Sequence, residues 1–300
     1  MKASIIINPR AEIVDIELSR NFKFISKDPV ALHGVLITLS DISYCANVVK
    51  IPIHVDMSKV EHINAQAAIL LFSHITSAQL VNRKSDFVKI TLPSDLKTRK
   101  LVRNSGLWEA IRNGTDRKLD KNWLTVNNFQ SGYDPDKHLE STLELIEQKW
   151  GSLPRHLGSA INEAMLNIKQ HAYSINPPDA IKRWWQYIYI KNNELHFLIF
   201  DKGLGIPDSF RLQRQQLKTP DEDIIAYAMK RWVTSTNVNG RGNGSMNIKR
   251  PVSDIEKDTL LIYSHNGGYE YHTDGKVRCF KLPVKLAGTL LAWKIGIQHD

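Results

Sequence analysis

Cysteine is almost absent from this chain: Cys45 and Cys279 are the only two in 300 residues, and no Cys-x-x-Cys pair exists. That excludes a disulfide scaffold and a zinc ribbon, and it fits a reducing, cytoplasmic setting. No uninterrupted apolar run approaches the roughly 18 residues of a spanning helix, so no membrane is expected as a partner. The apolar stretch after Met1 is too short for a signal peptide. There is no GxxxxGK[ST], which excludes a P-loop, and no HExxH, which excludes that zinc-hydrolase pattern. Internal repeats and low-complexity tracts are missing too.

What is present suits an ordinary folded protein. An apolar content of 42% with 24% charged residues has the balance of a globular chain. Its length suits two domains. The formal net charge is +9. An excess of that size points either to a polyanion partner, nucleic acid or ATP itself, or simply to a solvated basic surface. The cations are scattered, with small clusters at Lys97–Arg103 and Arg211–Arg214.

The pattern divides into a domain over residues 1–115, a linker over 116–137 and a domain over 138–300. In the first, Ile51–Met57 reads as a buried strand and Asn64–Val81 as a helix packed on a sheet. Phe87–Leu92 is a second strand, closed by Pro93. Ser94 or Asp95 caps a further helix carrying Leu96, Leu101, Val102 and Leu107. Such alternation predicts an α/β domain. Val55-Asp56-Met57-Ser58, the helix after Ile63-Asn64, the strand before Pro93 and Ser105-Gly106-Leu107 together resemble a STAS domain, the fold of anti-sigma factor antagonists. That family places a phosphorylatable hydroxyl at the start of the first of these helices. Here the stretch is Asn64-Ala65-Gln66-Ala67, without one. The resemblance therefore implies a protein-binding or homodimer-forming role and not a phospho-switch. The linker, rich in Gly, Pro and polar residues, holds one expected strand at Trp123–Val126.

In the second domain the expected order begins with a helix, His138–Trp150. A helix from Arg155 to Tyr173 follows, capped by Ser152 with Pro154 in its first turn. Gln186–Ile190 and Leu195–Phe200 are strands joined by a hairpin at Lys191–Glu194. Pro207–Asn239 is polar, with one helical pattern at Ile224–Trp232. A helix from about Ser245 and strands at Leu260–Ser264, Val277–Leu282 and Thr289–Ile295 complete the chain. Trp184 and Trp185 are expected to pack at a strand start, not to stack on a base.

Three segments of this domain carry the chemistry. Glu163, Asn167 and His171 are spaced i, i+4, i+8 and share one face of a helix. A polar stripe is ordinarily solvated surface, but asparagine is a poor helix former and its presence in mid-helix asks for another reason. Mg²⁺ takes oxygen ligands and keeps several waters, so one amide oxygen plus ligand phosphates suffices, and Asn167 is the candidate. Glu163, one turn away, can accept a proton from water or a hydroxyl. Next, Asp201-Lys202-Gly203-Leu204-Gly205-Ile206 leaves a strand. Its carboxylate can accept from an exocyclic amine, and Gly203 and Gly205 allow close approach and positive φ. Last, Gly240-Arg241-Gly242-Asn243-Gly244-Ser245 precedes a helix. Small residues there let backbone N–H groups face phosphates, and Arg241 can add a charged contact. The spacing is not GxGxxG and does not follow a strand of a βαβ unit, so a Rossmann site is excluded.

In this order and spacing the segments resemble the three nucleotide-binding boxes of the GHKL superfamily (gyrase, the heat-shock chaperone, histidine kinase, MutL). Glu-Ala-x-x-Asn-x-x-x-His-Ala-Tyr is most similar to the anti-sigma factor kinase branch. Leu260–Gly268 and Pro283–Ile295, with Gly288-Thr289, are similar to closing strands of bacterial members. The resemblance implies an α+β two-layer sandwich of the Bergerat type, binding ATP with Mg²⁺. In it Glu163 is the general base, Asn167 the metal ligand and Asp201 the adenine-amine acceptor. His171 positions phosphate or the lid, and Thr234–Asn239 belongs to a mobile lid. The implied function is an ATPase acting as a nucleotide-controlled regulatory switch in a bacterial setting. The alternatives are a serine/threonine protein kinase and a non-catalytic ATP-binding adapter.

Overall fold

The computed structural model describes residues 12–173, 181–213, 218–230, 244–252 and 257–296. They fall into two compact units, one drawn from Met1–Gln130 and Pro178–Ile181, the other from Ser131–Pro177 and Lys182–Asp300. The chain is a mixed α/β protein with both parallel and antiparallel sheets.

The first unit runs β1 (Val14–Glu17), β2 (Asn21–Phe22), α1 (Pro29–Tyr44), β3 (Ile53–Asp56), β4 (His62–Ile63), α2 (Ala65–Val81) and β5 (Val88–Thr91). It closes with α3 (Leu96–Asn104), α4 (Leu107–Ile111) and α5 (Asp116–Leu124). β1, β3 and β5 form a parallel sheet in that order, and β2 pairs with β4 in a second, smaller one. Parallel neighbours need long crossovers, and α1 and α2 supply them. Asn64 caps α2, accepting from the Ala67 N–H at 3.1 Å. Its amide also exchanges two bonds with the Phe24 backbone. The position where a hydroxyl was missing is thus a structural cap.

Three expectations for this unit change. The helix after Pro93 is two helices. Asp95, not Ser94, caps the first, and Gly106 at φ +84° ends its run, so Leu96 and Leu101 are exposed while Val102 and Leu107 are buried. The strand expected at Trp123–Val126 is instead the end of α5, turned by Val126 at φ +53°. Alternating apolar residues in a short window fit either element, and here the helix wins. Finally, among the described residues Pro29–Val49 is long and apolar enough to cross a membrane by length and composition. In sequence its apolar run is interrupted by His33, Ser40 and Asp41. Its inner face, Leu32, Val35, Leu36, Leu39 and Ile42, is buried as in a core helix.

The second unit takes in β6 (Phe129–Gly132), α6 (Pro135–Trp150), α7 (Leu157–Asn167), β7 (Trp184–Lys191), β8 (Glu194–Asp201) and α8 (Gly205–Gln213). There follow α9 (Asp221–Ala228), α10 (Gly244–Lys249), β9 (Thr259–His272) and β10 (Val277–Gly296). Its five-stranded sheet has the order β6-β7-β8-β10-β9, and the pairs β7–β8, β8–β10 and β10–β9 are antiparallel. The β7–β8 turn is Asn192-Asn193 at φ +52° and +56°, the conformation a two-residue hairpin demands.

One sheet face carries Trp184, Ile188, Phe197, Ile199, Ile262, Leu291 and Trp293. It packs on Ile146 of α6, Ile161 and Met165 of α7, Ile225 of α9 and Ile248 of α10. Trp184 and Trp185 are both fully buried, as expected. The two strands expected in residues 277–295 are one strand, β10, with register shifts between Lys281 and Thr289. α6 begins at Pro135, inside the expected linker, because Pro fits a helix's first turn. α8 occupies part of the stretch read as polar loop, and α9 starts and ends earlier than its pattern suggested.

Candidate functional site

α7 supplies the first residues of the site. It starts at Leu157 after His156 at φ +64°, so Ser152 is not its cap. Glu163 and Asn167 lie one turn apart and both line a cavity of about 420 Å³. The Asn167 Nδ2 donates to Glu163 Oε1 at 3.3 Å. The amide nitrogen is thereby committed, and the amide oxygen is the atom left for a ligand.

Asn167 is not in mid-helix. It is the last α-helical residue before a π turn over Ile168–Ala172. There the ladder changes to i→i+5 bonds, a form found often at functional sites. His171 sits in this wider turn and still lines the cavity, with Gln170 beside it. The turn is tied to the strand end across from it: the Leu204 N–H donates to the Ala172 carbonyl at 2.8 Å. Tyr173 Oη donates to the Arg183 carbonyl at 2.5 Å and accepts from the Lys202 N–H at 3.2 Å. Burial pushes the Tyr173 hydroxyl far up from its ordinary range.

β8 delivers Asp201 to the cavity at its last residue, 3% exposed. Burial raises this carboxyl to about 7, against the opposing pull of backbone N–H bonds from Gly203 and Thr289. The Gly203 N–H reaches Asp201 Oδ1 at 2.8 Å. Gly203 is not at positive φ. It is glycine for closeness, since a Cβ would stand 2.2 Å from the Ala172 carbonyl oxygen. Gly205 needs both freedoms: φ is +76°, and a Cβ would meet the His265 ring at 2.7 Å. Ile206 lines the cavity, and its N–H donates to Ser264 Oγ at 3.0 Å. Ser264 in turn bonds the Gly288 carbonyl at 3.0 Å and approaches Thr289 Oγ1 at 3.1 Å.

The third segment is described from Gly244 onward, and Gly240, Arg241, Gly242 and Asn243 lie outside the described residues, as does Thr234–Asn239. α10 starts at Gly244, directly against the carboxylate of α7: a Cβ there would stand 2.3 Å from Glu163 Oε1. Ser245 lines the cavity, but its hydroxyl is used, donating to the Lys230 carbonyl at 2.9 Å. α10 is fixed by Trp293 Nε1, which donates to the Ile248 carbonyl at 2.8 Å.

Eight expected residues therefore surround one cavity or reach its edge: Glu163, Asn167, His171, Asp201, Gly205, Ile206, Gly244 and Ser245. Gly203 acts from behind. The walls also include Ser209, Phe210, Met229, Asn247, Ile262, Thr289 and Leu291. Of these, Ile262, Thr289 and Leu291 stood in segments whose pattern was recognisable, without a site role assigned to them. The others come from helix faces whose sequence signal is simply that of a core. An apolar wall with a few convergent polar groups, at this volume, is the usual form of a small-molecule site. Among the described residues no group of three or more His, Cys, Asp or Glu could hold a metal. A cation at Asn167 would need oxygens from a ligand to complete its shell.

No protein-family model matches this chain, and a search of curated proteins likewise finds no match.

Proposed function

We propose that the second unit binds ATP with Mg²⁺ and that the protein is an ATPase working as a nucleotide-controlled switch, in the manner of the GHKL superfamily it resembles. The observation that carries this reading is convergence. Residues far apart in sequence, Glu163 and Asn167, Asp201 and Gly205, Gly244 and Ser245, line a single cavity. A five-stranded sheet with α6, α7, α9 and α10 on one face agrees with a Bergerat-type sandwich.

In this reading Asp201 accepts a hydrogen bond from the exocyclic amine of adenine, and Gly203 and Gly205 keep the backbone close to the base. Glu163 accepts the proton of the attacking water. The Asn167 amide oxygen, with phosphate oxygens of the nucleotide, would hold Mg²⁺. The donor set fits, because one free amide oxygen beside a general base is what a largely ligand-coordinated Mg²⁺ asks of the protein. The metal, when bound, neutralises charge developing on the transferred phosphate. In this reading His171, which lines the cavity, orients phosphate or the lid. For the first unit, the parallel sheet and the Asn64 cap support a STAS-like module that binds a protein partner or a second copy and takes no phosphate.

The test is incubation of the full chain with Mg²⁺ and γ-labelled ATP, alone and with cell extract, beside Glu163→Ala. Free phosphate that vanishes in the variant supports the switch. Label appearing on another protein makes it a kinase instead. Nucleotide binding with neither signal makes it an adapter.

A further inference from the structure

The helix α3 is basic on its outer side. Over Leu96–Asn104 it carries Lys97, Arg99, Lys100 and Arg103 and no acidic residue. Its inner side is secured by Asp95 at the cap, by buried Val102, and by Thr98 Oγ1, which donates to the Glu61 carbonyl at 2.6 Å. Arg99 turns inward, with Nε donating to the Pro93 carbonyl at 2.6 Å. Lys97, Lys100 and Arg103 remain exposed, and none forms an ion pair among the described residues. Arg20, Lys59 and Arg112 of the same unit each lie 2.7 Å from a glutamate, whereas Lys50, Arg83, Lys84 and Lys89, like the α3 cations, are exposed and form no ion pair among the described residues; what sets α3 apart is that its cations are clustered on one helix beside large apolar side chains.

Large apolar side chains accompany these free cations. Leu96 is 69% and Leu101 51% exposed. The Asn127 and Asn128 side chains donate to the Gly106 and Ser105 carbonyls at 3.1 and 3.2 Å, which brings the exposed Leu124 and Val126 to the C-terminal end of α3. Leu96 and Leu101 are five residues apart and so lie about 140° apart around the helix axis, with Lys97, Lys100 and Asn104 between them.

We propose that this surface is a docking site for an acidic segment of a partner polypeptide, one that sets carboxylates over Lys97 and Lys100, with Arg103 a further contact just beyond Leu96, and apolar side chains on either flank against Leu96 and Leu101. Charge complementarity selects an anionic partner. The leucines select among anionic partners. A nucleic-acid backbone satisfies the cations and leaves the leucines facing phosphate and water. A flat anionic bilayer resting on the lysine crest cannot take both leucines into its apolar layer, because they point away from each other. A polypeptide can lie along the crest and reach down both sides. The proposal concerns the first unit and is independent of the nucleotide reading.

The experiment measures fluorescence anisotropy of a short labelled peptide of alternating glutamate and leucine, titrated with the full chain. Oligoglutamate, a duplex oligonucleotide and phosphatidylglycerol vesicles are run beside it. The expected result is saturable, salt-sensitive binding, tightest for the glutamate–leucine peptide. The double variants Lys97→Glu/Lys100→Glu and Leu96→Ser/Leu101→Ser should each weaken it by about tenfold. Both alter exposed positions, so circular dichroism should show unchanged folding. Preference for the duplex or the vesicles, equal binding by the variants, or no binding of the peptide would overturn the proposal.

Discussion

Replacing Asp201 by asparagine should make the protein more stable and a poorer nucleotide binder. Asp201 is 3% exposed, and burial lifts its carboxyl from 3.8 to about 7. In the unfolded chain it ionises near its ordinary value. A raised pKa means that the native state holds its proton longer. The contribution to stability is therefore fully present below about pH 4 and is lost as the pH rises through about 7. About three pKa units at about 1.4 kcal/mol each give a penalty near 4 kcal/mol above neutrality. Asparagine carries no charge and escapes it, yet keeps an oxygen for the Gly203 N–H. Loss of one of the two backbone bonds costs about 1 kcal/mol. The net gain at pH 8 should be about 3 kcal/mol, fading toward pH 4. Denaturant unfolding of both proteins across that range measures it, since other titrating groups cancel in the difference. If Asp201 accepts the adenine amine as proposed, nucleotide affinity should behave oppositely: wild-type binding should rise with pH toward 8 as the carboxylate forms, while the asparagine variant should bind weakly at every pH. An asparagine variant less stable than wild type at pH 8 would refute the account of Asp201 as a buried, proton-retaining acceptor.

Three further outcomes follow from the geometry. Glu163→Gln should lower ATP turnover by about a hundredfold or more while leaving the dissociation constant within a few-fold, as steady-state hydrolysis and calorimetry would report. Gly244→Ala should also cut turnover, because its methyl group would stand 2.3 Å from Glu163 Oε1 and must displace that carboxylate; equal turnover would show that Glu163 moves freely. Lys118→Met should stabilise the first unit. The Lys118 ammonium is buried on Gln79 Oε1 at 2.7 Å and the Arg112 carbonyl at 2.9 Å, and burial lowers it to about 7. Its stabilising contribution is present above about pH 10.5 and is lost as the pH falls through about 7. Against that burial stands the cost of leaving Gln79 unpaired, so the net gain should be about 2 kcal/mol at or below pH 7 and vanish at high pH, read by unfolding at both pH values.

Much of the site was legible because its chemistry is local. The i, i+4 spacing that joins Glu163 to Asn167 is a property of any α-helical turn, and the 3.3 Å bond realises it. The hairpin at Asn192-Asn193 and the cap at Asp95 were readable for the same reason: each needs only neighbours in sequence. The π turn at Ile168–Ala172 was not readable, because its cause lies 30 residues away, where the 201–204 backbone takes up the Ala172 carbonyl. The positive φ expected of Gly203 failed for a similar reason. A glycine required by a facing carbonyl looks in sequence like one required by its own φ. β10 was expected as two strands, Val277–Leu282 and Thr289–Ile295, whereas pairing with β9 carries one strand through with shifts in register.

By itself the sequence determined which residue types could do chemistry and in which local frames they stood: a carboxylate and an amide one helical turn apart, an aspartate at a strand end, and glycines where a backbone must come close. The tertiary structure alone decided that these frames share one cavity, that Asp201 is dry enough to hold a proton near neutrality, and that Gly244 abuts Glu163. It also decided that the cations of α3 stand free beside exposed leucines. Spacing along a chain fixes only the nearest few neighbours, whereas dielectric surroundings, cavity walls and free surfaces are made by segments that meet after the chain has folded.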